Sequence, residues 1–295
     1  MRRFTVAVAA ALLTASLAGA PPVLAGEKPG PAVSLIARLS GDQGLPGKGG
    51  TAPGDKDGKA VALIKVKGDR VTFALSWNGI ERPVKAHLHQ GQVGASGPVR
   101  ARLFGTRMPA TVRSAAGQTS VTGGEVAEKL RTDPGGFYVD LHSAEFPGGA
   151  VRGQLRVLAK PVNPLSIIRG GKLRALADGG QEVPGGDPAK SGDPDGHSTT
   201  FLYPEGSRVG YSLAWVNTGA PLAAHLYEGV LGQNGDVRLP LFVSPVPKNI
   251  FAVSGSVDAP DAALLARLKK NPTGFYANLH TAKFPDGAVR GQLFR

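Results

Sequence analysis

The sequence contains itself twice. Displaced by 138 residues, Gly136–Leu155 (GFYVDLHSAEFPGGAVRGQL) meets Gly274–Leu293 (GFYANLHTAKFPDGAVRGQL) without a gap, and 15 of 20 positions are identical. The same offset pairs Trp77 with Trp215, Ala86-His87-Leu88 with Ala224-His225-Leu226, and Gln43 and Pro46 with Gln181 and Pro184. A period of this length describes tandem domains, not a solenoid of small units. The expected layout is a signal peptide over 1–25, a first domain over 26–158, a linker over 159–170 and a second domain over 171–295. Lys160-Pro161-Val162-Asn163-Pro164 reads as a stiff extended connection, because each proline restricts itself and its predecessor, and it is expected to hold the domains apart.

Whatever one copy folds into, the other must fold into as well. Short runs of valine, leucine and aromatic residues, punctuated by Gly, Pro and Asp, give each copy the spacing of an all-β sandwich or barrel. One short helix interrupts each copy. In the second, Leu264, Leu265 and Leu268 have helical spacing over Asp261 to Lys270, Asp258 or Asp261 supplies a cap, and Asn271-Pro272 stops the helix; Gly124 to Arg131 is its counterpart. The chain has no cysteine, which rules out disulfide staples, a thiol nucleophile and a thiolate metal site. Domains of about 130 residues bury roughly two thirds of their surface without such help.

Arg2-Arg3, the uncharged run Phe4 to Ala18 and the small residues of Val23-Leu24-Ala25 have the layout of a secretory signal cleaved after Ala25. The expected location is therefore extracellular or cell-surface associated, with no membrane span in the mature chain. The net formal charge is +12, spread along strands and loops without a dense Lys/Arg run that has interleaved aromatics. That pattern speaks against nucleic acid. It fits an anionic cell-surface polymer or an extracellular protein as partner.

Strand alternation sorts the shared residues into two faces. Phe137, Val139 and Leu141 point one way, and Tyr138, Asp140 and His142 the other. The second copy opposes Phe275, Ala277 and Leu279 to Tyr276, Asn278 and His280. His87 and His89 share a face, as do Arg152 and Gln154, with His225, Arg290 and Gln292 in the second copy. Two accounts are open for this polar face. It is either a hydrogen-bonded network, with Arg152 tying a strand end to a loop, or a ligand site.

His87 and His89, two apart on one strand face, can reach one metal ion if that face is concave, with His142 as a third nitrogen and Asp140 close by. Imidazole suits copper or zinc. Tyr227 replaces His89 in the second copy, leaving His225 and His280, so the first domain is the expected binder. Asp55-x-Asp57-Gly58 and Asp193-x-Asp195-Gly196 resemble the start of a calcium loop, although the closing Glu of a full loop is missing and an Asp/Gly turn explains the same residues. No nucleophile elbow, paired-histidine zinc helix, phosphate loop or dinucleotide fingerprint is present. The expectation is a chain that is not an enzyme and needs no cofactor, with copper, zinc or calcium as the candidate ions.

Gln181-Glu182-Val183-Pro184, the Asp-x-Asp-Gly turn, Tyr211-Ser212-Leu213-Ala214-Trp215, Ala-His-Leu-His before the Gly91, Gly94, Gly97 spacing, and Phe-Tyr-x-x-Leu-His ending in Gly-Ala-Val-Arg-Gly-Gln-Leu together resemble the CHRD domain. That domain is named after chordin and occurs in many exported bacterial proteins. The resemblance covers both copies and implies two tandem immunoglobulin-like β-sandwich or barrel domains. It assigns no catalytic residues, and chordin's growth-factor binding, attributed to cysteine-rich modules, does not transfer to a cysteine-free chain. The first copy departs from the pattern at Gly44, where the second has Glu182. The His-x-His strand is also similar to that of copper-zinc superoxide dismutases, but the further histidines of such a site are absent. The resulting expectation is a secreted, non-catalytic binding or structural module, with an extracytoplasmic copper- or zinc-binding protein as the alternative.

Overall fold

In a computed structural model, residues 31–46 and 54–295 are described; the expected signal segment lies outside them. The first copy contains β1 (Val33–Ser40), β2 (Lys59–Lys67), β3 (Arg70–Asn78), β4 (Lys85–Gln90), β5 (Val99–Phe104), β6 (Val112–Ser120), α1 (Gly124–Thr132), β7 (Phe137–His142), β8 (Val151–Gln154) and β9 (Arg156–Val157). The second contains β10 (Leu173–Asp178), β11 (His197–Glu205), β12 (Arg208–Val216), β13 (Pro221–Glu228), β14 (Asp236–Phe242), β15 (Ile250–Asp258), α2 (Ala262–Lys270), β16 (Phe275–Thr281) and β17 (Val289–Phe294).

Alternation drives these strands. In β2 the residues Ala60, Ala62, Ile64 and Val66 are buried while their neighbours are less so, which is the period of two that a half-covered strand requires. β2 turns into β3 over Gly68 and Asp69, with Lys67 opposite Arg70. Gly68 sits at φ 60°, a conformation that favours glycine and suits a tight hairpin. The second copy repeats the device at Gly206, φ 57°. Asp261 caps α2 by accepting from the Leu264 amide at 2.6 Å, whereas α1 has Gly123 at that position and no side-chain cap.

Hydrogen bonding orders the first copy β6-β3-β2-β1-β8-β7-β4-β5, all antiparallel, with β9 also on β1. The second copy follows the same order, β15-β12-β11-β10-β17-β16-β13-β14. The all-β tandem expected from the sequence is what the chain adopts. Each copy encloses its own apolar residues, with Phe73, Leu75 and Leu88 in the first and Tyr211, Leu213 and Leu226 in the second all essentially inaccessible.

The expectation of separated domains is overturned. β6 of the first copy pairs with β15 of the second, from Ile250 opposite Gly117 to Gly255 opposite Val112, so the sheet runs through the joint. The linker does not stay extended. Asn163 accepts from the Leu165 amide at 3.0 Å and starts a single 3-10 turn over Pro164–Ile167. Ile167 and Ile168 then pack on the alanine cluster Ala74, Ala116 and Ala252. Small side chains on three adjacent strands leave a shallow apolar trough, and covering it outweighs the stiffness of the two prolines. Thr111 bridges the joint as well, donating to the Leu241 carbonyl at 2.6 Å and lying 2.9 Å from the Tyr211 hydroxyl.

Candidate metal centre

β4 and β7 run antiparallel with His87 opposite Asp140, His89 opposite Tyr138 and Lys85 opposite His142. His87, His89, Asp140 and His142 therefore share one face of two neighbouring strands. That face is covered, contrary to what its polarity suggests: every residue of β7 is buried. The cover is made of loops that the shared polar residues hold down. Arg152 donates to the carbonyls of Gln92 and Ala95 at 3.1 and 2.8 Å and lies over the Tyr138 ring at 3.5 Å. Gln154 donates to Gly91 and Gly135 at 2.7 and 2.6 Å. Arg290 and Gln292 do the same to the loop after β13. Arg and Gln thus act as loop anchors, while the histidines do something else.

Nδ1 of His89 lies 2.9 Å from the Gly97 carbonyl and Nδ1 of His142 lies 2.9 Å from the Pro147 carbonyl. A carbonyl can only accept, so both Nδ1 atoms carry the proton. In the neutral rings Nε2 is then a lone pair, and both Nε2 atoms face the same carboxylate. His89 Nε2 is 3.0 Å from Asp140 Oδ2 and His142 Nε2 is 3.1 Å from Oδ1, while His87 Nδ1 is 3.5 Å from Oδ1. Acceptors brought this close need a cation between them, a proton or a metal ion. Donor atoms around a four-coordinate zinc, each about 2.1 Å from the ion, are roughly 3.4 Å apart; the His87 spacing matches that separation, while the 3.0 and 3.1 Å spacings are those a shared proton also gives. His87, His89 and Asp140 form the compact set, with donor atoms within 4.8 Å of one another; His142 closes the far side of the carboxylate and stands outside that set. Holding the second ring nitrogen on a backbone carbonyl is the usual support for a metal-binding imidazole.

Electrostatics follow the geometry. Burial alone pushes the Asp140 carboxyl up, but hydrogen bonding from His142, His87 and His89, which the first and last can give from Nε2 only when the ring takes up its second proton, outweighs it and holds the group well below its ordinary range. Burial disfavours the charged His89 ring, yet Asp140 wins and raises it. Tyr138 stacks flat on His89, centroids 4.7 Å apart, and its hydroxyl accepts from the Gly97 amide at 3.2 Å. A cavity of about 70 Å3 bounded by Gly44, Ser96, Gly149 and Arg152 reaches Asp140 from outside, enough for a few waters.

The second domain builds the same frame around different chemistry. His225 lies opposite Asn278 and Tyr227 opposite Tyr276. Nδ1 of His280 lies 3.0 Å from the Pro285 carbonyl, so the Tyr227 hydroxyl donates to its Nε2 at 3.1 Å. Tyr227 stacks on Tyr276 at 4.8 Å, whose ring lies under Arg290. With no carboxylate opposite, burial and the neighbouring His280 lower His225 to about 4. Glu182 enters where the first domain has Gly44, and its Oε2 accepts from Asn278 at 3.0 Å. Burial raises Glu182 to about 7 against the opposing pull of Asn278 and Arg290. Glu182 was visible in the sequence as a departure from Gly44, but nothing there showed that it would fill the mouth of the site.

The aspartates of the Asp-x-Asp-Gly segments do not join the donor set of the first centre. Oδ1 of Asp55 accepts from the Asp57 and Gly58 amides at 3.1 and 3.2 Å, which makes it a turn former. Asp193 is buried beside Asp195, and burial, reinforced by that neighbour, raises its carboxyl. Among the described residues no third carboxylate or imidazole joins either pair. No helix there is long and apolar enough to cross a membrane.

The model of the family described as the CHRD domain matches residues 35–155 and again 173–293. No curated protein and no solved structure matches the chain.

Proposed function

The chain belongs to the CHRD family twice over, and from that premise we propose that it is a non-catalytic binding module working outside the cytoplasm, whose first domain holds one copper or zinc ion. The observation that carries the reading is the meeting of the Nε2 atoms of His89 and His142 with the Asp140 carboxylate at 3.0 and 3.1 Å, each ring having its Nδ1 proton fixed on a carbonyl. His87, His89 and Asp140 supply the ion's protein donors, and His142 orients Asp140 or adds a fourth. Imidazole nitrogen with one carboxylate is a donor set for zinc or copper and a poor one for calcium, which takes oxygen. Export is supported by the charged and apolar leader. Inside this module the second domain serves as a structural partner.

The test is metal content of the purified full chain by mass spectrometry after exposure to zinc, to copper(II), or to copper with a reductant. One equivalent per chain is expected, lost in His89→Ala and kept in His225→Ala. Less than a tenth of an equivalent under all three conditions overturns the reading.

A further inference from the structure

A second feature exists only because the two domains are joined. The β6–β15 pairing sets the turn after β5 beside the turn after β14, and the Gln118 amide donates to the Asn249 carbonyl at 3.0 Å while the Asn249 side chain donates to Leu103. Above this floor lies an open cleft of about 1250 Å3. Arg82, Arg102 and Arg107 from the first domain and Lys248 and Lys283 from the second line it, with no carboxylate among the lining residues. None of the five makes an ion pair with a described carboxylate within 4 Å.

The repeat shows that this charge is not inherited scaffold. At the equivalent positions of the other copy stand Ala220, Pro240, Pro245, Ala110 and Glu145. None is basic. Five cations, each particular to its own copy, thus face one space that neither copy encloses alone. Unpaired like charges in one cleft repel each other and raise the local concentration of anions.

We propose that this interdomain cleft binds a segment of acidic polysaccharide. Its volume exceeds the usual range for a single small-molecule pocket, and it is open. No aromatic side chain lines it, so nucleic-acid bases find no stacking platform. Turn segments dominate its walls, which gives an acidic peptide little strand edge to extend. Thr106, Thr218 and Ser244 lie among the cations, which suits a chain that carries both hydroxyl and oxyanion groups. Three arginines supply forked donors for sulfate or carboxylate.

Calorimetric titration of the full chain with a sulfated heparin-derived oligosaccharide and with an oligogalacturonate, at low and physiological salt, tests the proposal. Binding of at least one is expected, weakening as salt rises. Reversing Arg102, Arg107 and Lys248 to Glu is expected to reduce affinity at least tenfold. Reversing the exposed Lys67, Arg70 and Lys160, which lie outside the cleft, is expected to change it less than twofold. Lys248→Ala alone, expected to weaken binding severalfold, guards against misfolding of the triple variant. The sulfated and carboxylated arms show which anion is preferred. The proposal is overturned if neither oligosaccharide binds at low salt, if both sets of reversals weaken binding equally, or if single-stranded DNA or polyglutamate competes on equal terms.

Discussion

The two domains share a strand order, loop anchors and stacked aromatic pair, yet they solve the problem of a buried polar pocket in opposite ways. The first gathers three imidazoles around one carboxylate and leaves a mouth beside Gly44. The second replaces His89 by Tyr227 and Asp140 by Asn278, donates a tyrosine hydroxyl to the remaining His280, and closes the mouth with Glu182. A tyrosine hydroxyl and a backbone carbonyl satisfy the neutral His280, whereas a carboxylate facing two lone pairs cannot rest without a positive species. Three substitutions separate a pocket built around a buried carboxylate from one built around a tyrosine and an amide, in which His225 Nδ1, Asn278 Oδ1 and Glu182 Oε1 still lack a hydrogen-bond partner.

The largest expected effect is on the first domain. Asp140→Asn removes the charge that draws the ion, and metal affinity measured by competition with a chromophoric chelator is expected to fall by roughly 100-fold or more. Unchanged affinity would mean that the histidines alone define the site. The converse change comes next. Tyr227→His with Asn278→Asp and Glu182→Gly is expected to give the second domain the donors of the first, and the titration endpoint to move from one equivalent towards two.

A third test uses pH on the second domain only. Glu182 has its folded pKa raised to about 7. The folded chain thus keeps a proton that the unfolded chain releases near 4.5, so this stabilisation is complete below about 4.5 and is lost as pH rises to 7. The amplitude is on the order of 3 kcal/mol at most. His225, lowered to about 4, contributes an opposing gain between about pH 4 and 6.5, so the readout is the difference between the two chains. Glu182→Gln should grow more stable relative to the unsubstituted chain as pH rises from about 4.5 to 7 in denaturant melts; a difference that does not change with pH would assign the effect elsewhere. The smallest effect belongs to the joint. Tyr211→Phe removes a hydroxyl that meets Thr111 across the two domains, costing about 1 kcal/mol in chemical denaturation while metal stoichiometry stays unchanged.

Much of this was legible in the sequence. The repeat gave the two copies, alternation gave the two faces of β4 and β7, and the i, i+2 spacing put His87 and His89 on one of them, because all three depend on local periodicity. The joint was not legible. Pairing of β6 with β15 depends on edge strands far apart in sequence, and the prolines of the linker pointed towards separation, while the alanine trough that draws Ile167 and Ile168 inward is visible only once three strands are side by side. The same reason hid the basic cleft: its five cations lie scattered from Arg82 to Lys283 and meet only across the joint. Burial of the polar face was likewise hidden, because the loops that cover it are held by side chain to backbone contacts more than 50 residues apart in sequence.

Anomalous diffraction from crystals of the full chain, grown after exposure to zinc or copper and recorded on both sides of the metal's absorption edge, asks the central question most directly. One peak is expected, between His87, His89 and Asp140, with none at His225 and Tyr227. Absence of a peak in the first domain, or one of equal height in both, would contradict the account.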